Sequence, residues 1–152
     1  MSDGRLAKCL EAGTSILVGA VDERGQPACC RAIALMSSDD LASVTAYVPV
    51  VTSRDVIASI AMTGRMAVVV SHPIDHRSTQ LKGTIGTTRL AREDERALIR
   101  QRLEQLGDVL EVIGVPRRLT RSVAHWPAFA IDMRVEEAFE QTPGPHAGTR
   151  LR

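Results

Sequence analysis

Aromatic residues are scarce in this chain, and their scarcity excludes one class of function. The 152 residues include two phenylalanines, one tyrosine and one tryptophan, and the net charge is only +1. Proteins that hold single-stranded nucleic acid stack the bases on aromatic side chains and follow the backbone with positive charge. Because this chain has little of either, we expect no nucleic-acid partner.

Cysteines and long apolar runs are also few. Cys9, Cys29 and Cys30 lack the Cys-x-x-Cys spacing of a zinc site, and neighbours on a strand point to opposite faces, which disfavours a disulfide. We expect small buried thiols and no metal site. No apolar run approaches the roughly 20 residues that cross a bilayer, and the N-terminal residues lack a signal-peptide core. These features predict a cytoplasmic protein without a membrane partner.

Established catalytic motifs are absent as well. The chain contains no Gly-x-Ser-x-Gly, glycine-rich phosphate loop, Rossmann fingerprint or His-Glu-x-x-His. His72 and His76 are four residues apart, but Pro73 disfavours the helix that would make them a metal pair. Without a nucleophile and base, any catalysis would come from a bound cofactor.

The chain does contain a succession of short strand patterns with a few helical ones. Predicted strands cover 15–21, 28–36, 41–48, 66–70, 76–86 and 129–136, and predicted helices cover 3–13, 52–64 and 92–114, the last interrupted near Gly107 or ending at Gly114. The pattern indicates a mostly β chain with flanking helices (α+β). Its length suits a single domain over 1–152, with a tail at 140–152 that is either disordered or folded over a neighbour.

The strand at 76–86 carries a row of polar side chains. Alternation places Ser78, Gln80, Lys82 and Thr84 on one face and mostly apolar residues on the other. An antiparallel strand often has one solvated face, so the row is either that face or a binding surface.

Arg31 is the one charge on the strand face that we expect Cys29, Ile33 and Leu35 to share. A buried arginine needs a partner, so Arg31 lies near an edge, pairs with a carboxylate of the protein, or binds an anion from outside.

The start of the helix at 52–64 is a further candidate anion site. Its first N–H groups are free of intrahelical bonds, and Ser53 and Arg54 add a hydroxyl and a charge. In the simpler interpretation Thr52 and Asp55 form a capping box, or Ser53 caps the helix, and Arg54 is solvated.

Three motifs, in their order along the chain, resemble the pyridoxamine 5′-phosphate oxidase-like family of FMN-binding split barrels. The segment 31–36, Arg-Ala-Ile-Ala-Leu-Met, is similar to the family's Arg-x-Val-x-Leu-Lys. Ser53-Arg54-Asp55 is similar to its Ser-Arg-Lys, and Arg77-Ser78 leading to Lys82-Gly83 is similar to its Arg-Gln strand that ends in glycine. Met36 and Asp55 replace basic residues, which predicts a weaker hold on FMN.

The resemblance implies an antiparallel split β-barrel and a homodimer with FMN at the subunit interface. It also implies a set of cofactor contacts. Arg31, Ser53 and Arg54 would hold the phosphate, Ser78, Gln80 and Lys82 would face the flavin or its ribityl chain, and Ala32, Ile33, Val48 and Pro49 would line the site, the last two through backbone groups.

The function that follows from the resemblance is an FMN-dependent oxidoreductase with a small-molecule substrate. The chain lacks the C-terminal arginine motif with which the true oxidase binds its substrate, so pyridoxamine phosphate is not the expected substrate. Two alternatives remain: a non-catalytic module that binds flavin or haem or senses redox state, and a reductase that uses a deazaflavin.

Overall fold

One antiparallel sheet takes up most of the chain in a computed structural model that describes residues 10–152. Its seven strands are β1 (Ser15–Val21), β2 (Pro27–Ala32), β3 (Ala34–Ser37), β4 (Ser43–Pro49), β5 (Arg65–Ser71), β6 (Ser78–Leu90) and β7 (Ala128–Glu140). They lie in the order β2-β1-β5-β6-β7-β4-β3. Because β2 and β3 follow one another in the chain yet lie at opposite edges, the sheet curls back on itself. The expected split-barrel architecture is confirmed.

Three helices flank the sheet: α1 (Arg54–Thr63), α2 (Arg96–Val112) and α3 (Arg117–Arg121). α1 stops at Gly64, whose φ of 64° is left-handed, as the sequence predicted. The predicted capping box is wrong, because the residue that caps α1 by position is Ser53 and its side chain makes no capping bond. Of the two alternatives for α2, the interruption near Gly107 is wrong, because the helix runs unbroken through this glycine, which is buried against α3, and ends at Val112, just before Gly114.

The two ends of the chain differ from the sequence expectations. Residues 3–9 of the predicted first helix lie outside the described part, and 10–13 form turns. The tail is ordered and lies along β7 of its own chain, where the Glu140 N–H donates to Thr149 O at 2.9 Å and the Leu151 N–H to Ala138 O at 2.7 Å. No helix within residues 10–152 is long and apolar enough to cross a membrane.

Apolar side chains fill two layers. The inner face of the curl holds the main core, to which α1 contributes Val56 and Ile60. A second cluster lies on the opposite face of β3, β4 and β7, where α2 packs Ile99 and Leu103 against Tyr47. One surface of the sheet has no helix packed on it. This surface is the outward side of β1, β2, β5 and the first half of β6.

The strand predicted over 28–36 breaks at Ile33. Arg31 is exposed and Ala32 is buried, whereas Ile33 and Leu35 are both buried. The bend changes the phase of the alternation, so the prediction that Cys29 and Arg31 share a face with Ile33 and Leu35 is wrong. Cys29 is exposed too, so the expectation of buried thiols is wrong for it and right for Cys30.

Gly83 lies at a bulge between β6 and β7. Lys82 pairs with Glu137 and Gly83 with Val135, which leaves Glu136 without a partner residue in the ladder. A Cβ at Gly83 would collide with the carbonyl oxygen of Arg134. Only glycine permits this approach of the two backbones.

We expect Gly83→Ala to lower the free energy of unfolding by at least about 3 kcal/mol, because the clash is with backbone that cannot rotate away. Gly86→Ala is the matched control, since an added Cβ there lies 3.7 Å from the nearest atom, Asp132 O, and φ is not left-handed. Urea denaturation of both variants measures the difference. Equal stabilities would contradict the packing described at the bulge.

Glu95 ties the loop after β6 to the sheet. This 9% exposed residue accepts two hydrogen bonds from Arg89, at 2.7 and 2.8 Å, one from the Tyr47 hydroxyl at 2.9 Å and one from the Arg92 backbone at 2.7 Å. The bonds from Arg89, more than any other contact, lower the pKa of Glu95 from 4.5 to about 2. Burial and the nearby carboxylate raise the pKa of Tyr47 to about 12. Both oxygens of the Glu95 carboxylate and the Tyr47 hydroxyl are paired, which is typical of a structural network.

Glu95→Gln should lower the free energy of unfolding by about 2–3 kcal/mol at pH 7. The folded pKa of Glu95 lies below the unfolded one, so its contribution is complete above about pH 4.5 and is lost as the pH falls towards 2. The stability gap between wild type and variant should therefore narrow at acid pH. Glu93→Gln, at a side chain that is 74% exposed, is the control. A gap that stays constant from pH 7 to pH 3 would contradict this assignment.

Candidate functional site

Four of the residues predicted to bind FMN lie on the surface that no helix covers. We call this surface the outer face; it comprises the outward residues 15, 17, 19, 29, 31, 67, 69, 71, 78, 80 and 82, together with Phe139. The register aligns Arg31 with Leu17, Leu17 with Val69 and Val69 with Gln80. Three strand spacings separate Arg31 from Gln80, about 14 Å. A ligand that touches both must be elongated.

Arg31 is a cation without a carboxylate. Among residues 10–152 its guanidinium has one hydrogen-bond partner, Ser15 Oγ, at 2.8 Å, and its side chain is exposed. Of the alternatives left open by the sequence, the edge position is confirmed, because β2 is an outermost strand of the sheet. The described residues form no ion pair with Arg31. The exposed guanidinium is therefore available to an anion.

The polar row on β6 has the arrangement that its alternation predicted. Ser78, Gln80 and Lys82 are half-buried, while Thr79 and Leu81 between them are each 1% exposed. Ser78 Oγ lies 2.8 Å from Ser71 Oγ, and Gln80 Oε1 accepts a 3.4 Å bond from Gln141. Lys82 Nζ stands 4.8 Å above the centre of the Phe139 ring. The row is held in place but keeps hydrogen-bonding capacity for a ligand.

The other predicted residues lie at the end of the barrel where α1 begins. Ala32, Ile33, Val48, Pro49 and Ser53 are all buried, and Arg54 is exposed. The Ile33 N–H donates to Tyr47 O at 2.8 Å, so this group adjoins the segment that carries Arg31. The hydrogen bonds of the described residues link neither Ser53 nor Arg54 to the outer face. The structure thus divides the ten predicted residues into two sets.

Ser53 has an unusual environment for a serine. It is 0% exposed, and its Oγ has no hydrogen-bond partner within the described part of the chain. Buried hydroxyls are normally paired. An orphaned Oγ beside the free N–H groups of a ten-residue helix, with the Arg54 charge next to it, fits the phosphate group that the motif implies.

A groove that the sequence did not predict opens at the Arg31 end of the outer face. It encloses about 430 Å³ between the sheet and the helices α2 and α3. Its lining consists of Ser15, Arg31, Ser71, His72, Pro73, His76, Leu103, Leu106, Leu110, Val115, Leu119, Thr120 and Val123. Because five separate segments supply these residues, no local sequence motif predicts the groove. The available signal was the leucine spacing on α2, which predicts only that the helix lies against the sheet.

Cys29 and Cys30 do not form a disulfide with each other, and Cys9 lies outside the described residues. Burial, more than the neighbouring Cys29, raises the pKa of the Cys30 thiol to about 11, so this thiol stays protonated at neutral pH. Cys29 points outward and Cys30 inward. Within residues 10–152, no three histidine, cysteine or acidic side chains are placed to hold a metal ion.

Comparison with known proteins identifies the fold. No family model and no curated protein matches the chain. Among solved structures, HupZ of Group A Streptococcus superposes with a TM-score of 0.57 at 15% identity, covering 97% of this chain and 100% of HupZ. An F420 reductase gives 0.56 at 13% identity over 86% and 93% of the two chains. A pyridoxamine 5′-phosphate oxidase-related, FMN-binding protein of Nostoc punctiforme gives 0.51 at 12% identity over 95% and 85%.

At these identities the likeness is one of fold, and it spans nearly the whole chain. It agrees with the curled antiparallel sheet and its flanking helices. This chain has the fold of the pyridoxamine 5′-phosphate oxidase-like FMN-binding split barrels.

Proposed function

We propose that the protein is an FMN-binding oxidoreductase that acts on a small-molecule substrate. The observation that carries the proposal is Arg31: an exposed guanidinium with only a serine partner, at one end of an outward polar face. A cation kept clear of carboxylates on a strand is a ready partner for a phosphate.

The phosphate end of FMN would bind where the two sets of predicted residues adjoin. Arg31 supplies the charge, and Ser53 Oγ supplies a hydroxyl that otherwise has no partner. Arg54 is exposed at the start of α1, and no described residue forms an ion pair with it. A phosphate here would remove an unfavourable feature of the free chain, the unpaired buried hydroxyl.

Arg102 offers a replacement for one of the missing basic residues. Met36 takes the place of the family motif's final lysine, but Arg102 of α2 places its Nη2 3.7 Å from the Met36 sulfur. The Arg102 Nε is buried without a partner. A cation is thus present beside Met36 although the residue itself carries none.

The flavin ring would lie along the polar row. Ser78 and Gln80 would donate to and accept from the polar edge of the ring, and Lys82 would place a positive charge nearby, which favours a reduced, anionic flavin. When bound, FMN supplies hydride transfer. The residues of this chain bind and orient it, and none is required as a nucleophile.

A second copy of the chain would complete the site. The outer face leaves Leu17 42% exposed between Arg31 and Val69, with no helix over it. A homodimer that covers this face would exclude water from the flavin. We place the dimer in the cytoplasm, in line with the sequence expectation.

Haem is the second candidate ligand. His72 and His76 both line the groove beside the outer face, where an imidazole could meet an iron porphyrin. A Soret band of hemin that shifts and sharpens on addition of the protein, and that stays at the position of free hemin with His72→Ala or His76→Ala, would favour it over flavin.

Titration of the purified protein with FMN and with riboflavin, followed by visible absorption, tests the proposal. We expect a shifted flavin spectrum and tighter binding of FMN than of riboflavin, because only FMN carries the phosphate. Arg31→Ala should weaken FMN binding about 10- to 100-fold and change riboflavin binding less than about threefold.

Arg24→Ala is the matched control, since Arg24 is exposed in the β1–β2 turn and only its backbone makes a described hydrogen bond. It should bind FMN like the wild type. Unchanged FMN affinity in Arg31→Ala would refute the phosphate assignment. If wild type binds neither flavin, the proposal itself fails.

A further inference from the structure

We propose that the groove between the outer face and the helices α2 and α3 binds a small, largely aliphatic molecule that carries one hydrogen-bonding group. We further assign this molecule as the substrate of the oxidoreductase, a step that rests on the proposed function. The binding site itself follows from the geometry of the groove alone.

The helical wall of the groove is aliphatic. Six side chains from α2, α3 and the loops beside α3 supply it: Leu103, Leu106, Leu110, Val115, Leu119 and Val123. The lining contains no phenylalanine, tyrosine, tryptophan or carboxylate, and its only rings besides Pro73 are the imidazoles of His72 and His76. Its volume of about 430 Å³ lies within the 300–1,000 Å³ that is typical of small-molecule sites. Such a lining favours a neutral or anionic molecule with an apolar body over a cation.

Thr120 adds one polar feature to this wall. The residue is 5% exposed, and its Oγ1 has no hydrogen-bond partner in the described chain. Its methyl group faces α2, since a Cβ built on Gly107 would lie 3.3 Å from Thr120 Cγ2. The Oγ1 atom itself exposes less than 1 Å² to solvent, so a ligand in the groove reaches it only after a small shift of the wall. A ligand with one donor or acceptor would pair it, and an aliphatic molecule without such a group would not.

The groove stays open because, among the described residues, the hydrogen bonds and ion pairs of α3 run to α2 and none runs to the sheet. Arg117 donates to Glu104 Oε2 at 2.8 Å and to the Glu104 carbonyl at 3.2 Å, and it also contacts Asp108 and Glu111. These bonds hold the two helices as one wall. The opposite wall is the sheet edge near Ser15 and Ser71.

The mouth of the groove connects it with the outer face. Arg31 lines both, and Ser71, which also lines the groove, lies 2.8 Å from Ser78 of the polar row. His72 stands at the same mouth, its Nδ1 3.2 Å from Asp75 Oδ1 but not aligned for a hydrogen bond. A molecule whose apolar body fills the groove would present its other end beside the proposed flavin.

The test uses N-phenyl-1-naphthylamine, a neutral fluorescent probe with an apolar body and a single N–H, titrated into the full chain with and without FMN. We expect saturable binding of about one probe per chain. Leu110 is a half-buried lining residue, so Leu110→Trp should fill the groove and lower the affinity for the probe at least tenfold. Val112→Trp, at a position 73% exposed on the same helix, should leave affinity within twofold.

Two variants test Thr120. The isosteric Thr120→Val should lower the affinity for the probe about threefold or more. Thr120→Ser keeps the hydroxyl, so its affinity for the probe should stay within twofold of wild type. If the Thr120 hydroxyl does not contact the ligand, Thr120→Val will be no less stable than wild type and will bind the probe with unchanged affinity. This outcome would overturn the role of Thr120. Thermal unfolding of both variants checks that a loss of binding is not a loss of folding.

The outcomes separate this inference from the proposed function. If Leu110→Trp does not change probe binding, or if the wild type does not bind the probe, the groove is not the proposed binding site, whether or not FMN binds. If Leu110→Trp changes the oligomeric state in sedimentation velocity and not the probe affinity, the groove is an interface between chains and the inference fails. If the groove binds the probe as expected but the protein takes up no flavin, the binding site stands and the substrate assignment falls.

Discussion

The bend at Ile33 is the constraint on which the rest of the structure depends. It joins the strands at the two edges of the sheet, so the sheet must curl for β3 to reach β4, and the Ile33 N–H bond to Tyr47 O fixes the joint. The same bend ends the outward phase of β2, leaving Arg31 exposed and placing Ile33 in the layer under α2. Closure of the barrel and presentation of its free cation thus have one cause.

The fold combines a paired buried network with buried polar atoms that lack a described partner. The Glu95 carboxylate accepts from Arg89 and from the Tyr47 hydroxyl, as a buried network requires. Ser53, Thr120 and the guanidinium of Arg102 have buried atoms with no described partner. Unpaired buried groups cost free energy. Their position, at the start of α1, in the wall of the groove and beside Met36, is consistent with a protein completed by ligands.

Alternation of side chains along single strands could be predicted from the sequence, and so could the order of the elements. The polar row on β6 is where period two places it, and the motif order indicated the fold that the similar structures confirm. Features made by contacts distant in sequence could not be predicted. The phase change at Ile33 depends on β4, the continuity of α2 through Gly107 depends on α3, and the groove combines five segments. Thr52 resembled a helix cap because capping patterns are short, but the residue at the N-cap position of α1 is Ser53.

The central claim is that an elongated anionic flavin lies along the outer face with its phosphate at Arg31. Two-dimensional ¹H–¹⁵N NMR of the labelled protein during titration with FMN tests it most directly. The account predicts that the largest amide shifts cluster at Arg31 and its neighbours, at the start of α1 and along residues 78–82. Shifts confined to residues outside these three segments, or no shifts at saturating FMN, would contradict it.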